Sequence, residues 1–275
     1  MIILDGKKTS KQIKEKIKKK LEKEKIVPLL VVIRVGDDKA SETYVNQKNK
    51  FCNEVGIKFK EMHLDSHVTE QILIDTITSL NNDSSVSGIL VQLPLPKHLN
   101  TYKIINTITP DKDVDGLTDI NKCRRLNDRP GIIPCTPKGI IYLLKEYKIP
   151  ISGKHVVVIG RSDLVGRPLL DLLLKENATV TMCHSKTSNL KNHTSNADIL
   201  ISATGKKGLI TNDMIKENAV VIDAGITKYE GKIYGDVSQE DLTHPAYLTP
   251  VPGGVGPMTV AMLLENVLEC YQKNI

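Results

Sequence analysis

The chain has no tryptophan and only two phenylalanines in 275 residues. Stacking platforms for unpaired bases are therefore scarce, which argues against reading the net charge of +6 as a nucleic-acid footprint. The excess lysine is concentrated in TSKQIKEKIKKKLEKEK, where Ile13, Ile17 and Leu21 recur every fourth residue, the pattern of an amphipathic helix with a solvated basic face. No apolar run approaches the roughly 18 residues of a membrane span, and MIILDGKKTS lacks the order of a secretion signal. Five cysteines without a CxxC pair make neither a disulfide framework nor a zinc cage, and the seven histidines are scattered. The expectation is a cytoplasmic protein with no nucleic-acid, membrane or metal partner.

What is present is an average globular composition, 40% apolar and 25% charged, in a chain long enough for two cored domains. Strand-length apolar runs alternate with helix-period segments: LLVVIRVG, a helix through Lys48, IKFKEMHL, a helix from Thr69, then GILVQLPLP. A second series carries HVVVIG, ATVTMC, ADILISA and AVVIDAG, and closes with the helical PMTVAMLLENVLECYQ. Alternation of this kind predicts βαβ units and parallel sheets, hence two α/β domains. The expected division is residues 1–139 with 258–275 for one domain and 140–257 for the other, joined by a helix over PKGIIYLLKEY.

HVVVIGRSDLVGRPLLDLLLKENATVTMCHSKT has the order strand, glycine turn, helix, strand of a Rossmann-type dinucleotide-binding unit. Gly160 lets the backbone approach a pyrophosphate and Gly166 lets helix and strand pack closely. A glycine turn of this sort, which is not a strict GxGxxG, also closes βα units that bind nothing. An NAD site places an acid at the end of the second strand, where this chain reads CHSKT. Ser185, Lys186 and Thr187 there, with Arg161 from the first turn, favour NADP; solvated surface charge is the alternative.

On a helical wheel, at about 100° per residue, Tyr44, Lys48, Phe51 and Val55 share one arc while Lys50 points away. A lysine on an apolar stripe is desolvated, which disfavours its ammonium form and suits it to carry protons; the alternative is an amine that snorkels to water. Gln92 ends a buried-type strand, Asp113 and Asp115 lie on the turn KDVDG, and TPVPGGVGPMT is a glycine-rich loop entering a helix. Each also has a purely structural reading, as strand cap, turn former or chain reversal.

Together YVNQK, GILVQLPLP, KDVDG, PCTP, GRSDLVGRP, CHSKT and PVPGGVGPMT, in this order and spacing, resemble the bifunctional methylenetetrahydrofolate dehydrogenase/cyclohydrolase family over nearly the whole chain. The resemblance implies oxidation of methylenetetrahydrofolate with NADP and hydrolysis of the methenyl product to formyltetrahydrofolate, a one-carbon donor for purine biosynthesis. Both steps would share one cleft between the domains, in a homodimer formed through the cofactor domain. By matching motif it implies a catalytic Lys48, an aromatic partner in Tyr44, Gln92 bonded to the lysine, and Asp115 anchoring the pterin. Val91, Leu93, Pro252, Gly253, Gly254, Val255 and Gly256 would line the folate. Gly160, Arg161, Ser162, Gly166, Ser185 and Ile226 would face NADP. Cys123, where glycine is usual, is expected to alter only a loop, and Lys207, where proline is common, to affect cofactor geometry. Cys135 is read as packing. A relative that only hydrolyses, a shikimate-dehydrogenase-like reductase and a nucleotide-sensing binding protein are the rival readings.

Overall fold

The computed structural model describes residues 1–239 and 242–274. In chain order the elements are β1 (Ile2–Ile3), α1 (Gly6–Glu24), β2 (Leu29–Val35), α2 (Lys39–Val55), β3 (Lys58–Leu64), α3 (Glu70–Asn82), β4 (Gly88–Val91), α4 (Thr101–Thr107), α5 (Asp119–Leu126) and α6 (Cys135–Glu146). They continue with β5 (His155–Ile159), α7 (Gly166–Lys175), β6 (Thr179–Cys183), α8 (Leu190–Thr194), β7 (Ile199–Ser202), β8 (Val220–Asp223), β9 (Thr227–Tyr229), β10 (Lys232–Tyr234), β11 (Tyr247–Leu248) and α9 (Val255–Lys273). Two compact units divide the chain: Gln12–Cys135 with Val260–Ile275, here the first unit, and Met1–Lys11 with Thr136–Thr259, the second.

The first unit holds a parallel three-stranded sheet in the order β3-β2-β4. β2 is central and nearly all apolar, as a strand covered on both faces must be. Its one charge, Arg34, is buried but satisfied: Nε donates to Glu61 Oε1 on β3 at 2.7 Å and a terminal nitrogen donates to the Gly36 carbonyl at 2.9 Å. Val31, Ile33, Leu73, Ile77, Ile89 and Val91 form the centre of its core. α2 starts at Asp38, whose carboxylate accepts from the Ser41 amide at 2.7 Å, and stops at Gly56, left-handed with φ 93°. α3 ends on a cation: the buried Lys112 amine donates to the carbonyls of Leu80, Asn81 and Asp83 at 3.1, 2.8 and 2.7 Å.

The second unit holds a six-stranded sheet in the order β1-β11-β8-β7-β5-β6, with every pairing parallel. Chain order reverses between β5 and β7, the switch point outside whose carboxyl ends open α/β sheets take their ligands. Val157, Ile159, Leu200, Val221 and Leu248 lie in its core. An antiparallel hairpin, β9–β10, stands apart from the sheet.

Residues 1–11 were expected with the first domain, yet they pack with the second unit. Ile2 and Ile3 pair with Tyr247 and Leu248 and extend that sheet. Two-residue strands carry no periodicity, so neither β1 nor β11 could be read from sequence.

Candidate active site

Gln92 directly follows β4, and its amide N–H continues the ladder by donating to the Ile33 carbonyl at 2.8 Å. The side chain thus leaves the carboxyl end of the sheet. Its Nε2 donates to the Leu93 carbonyl at 2.7 Å, which turns Oε1 toward Lys48, and Lys48 Nζ donates to that oxygen at 2.6 Å. A carbonyl acceptor holds the amine in place without adding the negative charge that would keep it protonated.

The stripe that α2 buries is Ser41, Val45, Cys52 and Val55, with the half-buried Lys48 midway along it. Tyr44 lies at the edge of this stripe and not within it: the ring is 44% exposed, Phe51 is half-buried, and Tyr44 makes no hydrogen bond to Lys48 among the described residues. Real side-chain faces drift from an ideal wheel, and the arc drawn through 44, 48, 51 and 55 is displaced from the buried one. Burial pulls the Lys48 pKa below the ordinary lysine value, opposed by the nearby Asp115, Cys135 and Cys52. Burial also pushes the Cys52 thiol up to about 12, which leaves it inert as a nucleophile.

The two acids of KDVDG divide cleanly. Asp113 is buried and spends Oδ2 on the Thr118 amide at 2.8 Å and on Asn121 Nδ2 at 3.0 Å, so it shapes the turn. Asp115 is the acid whose charge reaches Lys48; burial raises its pKa and the lysine opposes the rise. β4 carries this turn beside it: the Ile89 amide donates to the Lys112 carbonyl at 2.7 Å, and a Cβ on Gly88 would stand 2.3 Å from Val114 Cγ1.

Two residues here were missed or underread. The Cys135 thiol donates to Asp115 Oδ1 at 3.6 Å, so it touches the site acid as well as packing. Asn266, fully buried on α9, donates through Nδ2 to the carbonyls of Val114 and Ile133 at 2.8 and 2.9 Å. It sits in an apolar helix about 150 residues downstream, and no sequence signal marks it. Cys123 is exposed on α5, a helix and not the expected loop.

The other expected residues lie in the second unit. Gly160 follows β5 with φ 117°, a conformation L side chains rarely adopt, and a Cβ there would stand 2.6 Å from the Ala203 carbonyl oxygen after β7. A Cβ on Gly166 would lie 2.0 Å from the Gly160 carbonyl oxygen, so the glycine pair closes α7 onto the turn. α7 begins at Val165 with no side-chain cap and no acid in its first turn, which leaves a helix N-terminus suited to a phosphate. Arg161 and Ser162 in the turn before it and Ser185 after β6 are exposed, while Thr187 Oγ1 accepts from the His184 amide at 2.9 Å and serves the turn. The 47% exposed Ile226 follows Gly225 at the end of β8. With no carboxylate in CHSKT and these cations and hydroxyls nearby, the residues fit a dinucleotide bearing an extra phosphate. Lys207 lies over the rings of Tyr229 and Tyr234 at 4.4 and 3.7 Å, joining its loop to the β9–β10 hairpin.

Pro252 to Gly256 also belong to the second unit: the first three lie in the loop from β11, and Val255 and Gly256 open α9. Gly6 makes room for the loop, since a Cβ there would meet the Gly254 carbonyl oxygen at 1.8 Å; Gly256 faces open space. Among the described residues no cluster of His, Cys, Asp and Glu could hold a metal ion, and no helix is long and apolar enough to cross a membrane.

Comparison with known proteins identifies the family. Residues 4–115 match the family model for the tetrahydrofolate dehydrogenase/cyclohydrolase catalytic domain, and residues 134–275 the model for the NAD(P)-binding domain. The chain is 52% identical over 282 residues to bifunctional protein FolD of Sulfurihydrogenibium sp. (strain YO3AOP1), covering 100% of this chain and 99% of the relative. Its fold is similar to that of the FolD methylenetetrahydrofolate dehydrogenase/cyclohydrolase of Campylobacter jejuni, with TM-score 0.98, 47% identity and 100% of both chains covered. It is also similar to the Trypanosoma brucei methylenetetrahydrofolate dehydrogenase-cyclohydrolase complexed with NADP and inhibitor, with TM-score 0.93, 36% identity, and 99% and 98% of the two chains covered.

Proposed function

This chain belongs to the tetrahydrofolate dehydrogenase/cyclohydrolase family, and from that premise we propose how its own residues divide the work. The protein oxidises methylenetetrahydrofolate to methenyltetrahydrofolate with NADP and hydrolyses the methenyl compound to formyltetrahydrofolate. NADP, when bound, supplies the hydride acceptor.

Lys48 is the catalytic residue common to both steps. Oxidation leaves positive charge on the folate, and an ammonium beside it would raise the barrier where a neutral amine would not. Burial disfavours the ammonium, and Gln92 fixes the amine through a neutral acceptor. In hydrolysis the same amine takes the proton of the attacking water and returns it as the ring opens. Asp115 accepts paired N–H bonds from the pterin edge, and Tyr44, Val91 and Leu93 bound the folate; the family likeness supports a part in folate binding for Pro252 to Gly256 as well. Gly160, Gly166 and the start of α7 would hold the pyrophosphate of NADP, with Arg161, Ser162, Ser185 and Ile226 also facing the cofactor. We assign folate binding to the first unit and NADP binding to the second, in keeping with the family models for residues 4–115 and 134–275. The observation that carries this reading is the 2.6 Å bond from Lys48 Nζ to Gln92 Oε1 at a strand's carboxyl end.

A homodimer formed through the second unit suits β6, which is an edge strand, and Leu174, 53% exposed on the preceding helix. A cytosolic setting and a role in supplying formyl groups to purine biosynthesis suit five free cysteines and the formyl product. One spectrophotometric assay tests the function: NADPH forms on addition of methylenetetrahydrofolate, then methenyl absorbance decays. Decay without NADPH formation would leave a cyclohydrolase alone. Lys48→Met is expected to cut hydrolysis by about 100-fold or more; full cyclohydrolase turnover in that variant would remove Lys48 from the mechanism.

A further inference from the structure

Two aspartates that no part of the mechanism uses lie buried side by side in the second unit. Asp236 Oδ2 accepts from Ser202 Oγ at 2.7 Å, from the Thr204 amide at 2.7 Å and from Thr204 Oγ1 at 2.9 Å, and its Oδ1 accepts from the Lys206 amide at 2.8 Å. Asp223 Oδ1 accepts from the amides of Gly225 and Asp236, both at 3.0 Å, and its Oδ2 from the Val237 amide at 2.9 Å. Neither carboxylate has an ion-pair partner among the described residues. Their charge is met by backbone and hydroxyl dipoles alone.

The two acids also exclude side chains from between them. A Cβ on Gly225 would stand 2.0 Å from Asp236 Oδ1, and one on Gly235 would stand 2.0 Å from Asp223 Oδ2. What they hold is loop, not strand. Thr204 to Lys206 follow β7, and Gly225 leads into Ile226 after β8. Ala203, at the root of the first loop, is the residue whose carbonyl Gly160 must clear, with only 2.6 Å to a Cβ. The loops at the carboxyl ends of β7 and β8 are thereby fixed to one another through a pair of buried carboxylates, and the turn after β5 packs directly against the first of them at the switch point of the sheet.

We infer that Asp236 is a positioning residue for the dehydrogenase half-reaction: acting with Asp223, it shapes the Thr204–Lys206 and Gly225–Ile226 loops for the nicotinamide cofactor. This rests on the placement of NADP at the Gly160 turn. A carboxylate suits the post because all its lone pairs accept, whereas an asparagine must aim an N–H at one of the donors. Ordinary scaffolding would lower both activities together. A cofactor-loop clamp lowers only the one that uses NADP, because hydrolysis of the methenyl substrate proceeds without it.

The test uses Asp236→Asn and the milder Ser202→Ala, which removes one donor from the cluster. Calorimetric titration with NADP measures affinity, and methenyl decay without cofactor measures hydrolysis. Asp236→Asn is expected to weaken NADP about tenfold and Ser202→Ala a few-fold, each raising the KM for NADP while hydrolysis runs at the wild-type rate. Unchanged NADP affinity in both variants, or equal loss of both activities in Ser202→Ala, overturns the inference. Arg161→Ala separates it from the underlying reading: unchanged NADP affinity in that variant overturns the placement of the cofactor itself.

Discussion

Replacing Gln92 by glutamate changes one neutral acceptor into an anion at nearly constant shape, 2.6 Å from Lys48 Nζ. Unit charges at that separation attract by about 6 kcal/mol at an effective dielectric constant of about 20 and by about 1.6 kcal/mol in water. Both side chains are only partly buried, so a value near the lower end, about 2 kcal/mol, is appropriate. It stabilises the ammonium and so raises the Lys48 pKa. The neutral amine is the working form, so its population below that pKa falls roughly 30-fold. Methenyl hydrolysis by Gln92→Glu is therefore expected to be up to roughly 30-fold slower on the acidic limb of the pH profile and to recover as the pH is raised, the limb being displaced upward. Gln92→Met loses the hydrogen bond without the charge and should slow the reaction with no upward displacement. Asp115→Asn should move the limb the other way, because the Asp115 charge raises the Lys48 pKa. Stopped-flow pH profiles of methenyl decay measure all three. An acidic limb in Gln92→Glu at or below the wild-type position would refute a neutral Lys48 as the catalytic form.

Two further outcomes concern stability. Lys112→Met keeps the length of the stem but leaves the carbonyls of Leu80, Asn81 and Asp83 without their cation, and a loss of about 3 kcal/mol in urea unfolding is expected; a midpoint equal to wild type would show that water replaces the amine at no cost. Burial pushes Asp223 up to about 6 from 3.8, so between those values the folded protein binds more protons than the unfolded chain and loses stability as the pH rises. The window from about pH 4 to about pH 6 is worth up to roughly 3 kcal/mol, absent in Asp223→Asn. Unfolding curves at several pH values should show wild type losing that much relative to the variant, and parallel pH dependence would contradict it.

The long elements were legible because burial imposes a period on the letters. β2, β4, β5, β7 and β8 are near-continuous apolar runs, and α1 shows Ile13, Ile17 and Leu21 on one face, all buried. The two-residue strands β1 and β11 were invisible, since register with a neighbour creates them and composition does not, and with them went the place of residues 1–11. Motifs located Lys48, Gln92 and Asp115, but wheel geometry set Tyr44 on the buried face when it is at the rim.

By itself the sequence determined the α/β alternation, the glycine turn after β5, the absence of an acid in CHSKT and the family to which the chain belongs. Only the tertiary structure decided that Asp113 is spent on its own turn, that Cys135 bonds Asp115, that Asn266 holds the Val114 carbonyl, and that Asp223 and Asp236 meet beneath the loops. The reason is physical: periodicity records which face of an element avoids water, a local property, whereas hydrogen bonds between residues tens to about 150 positions apart depend on register and chain reversal, which no local pattern encodes.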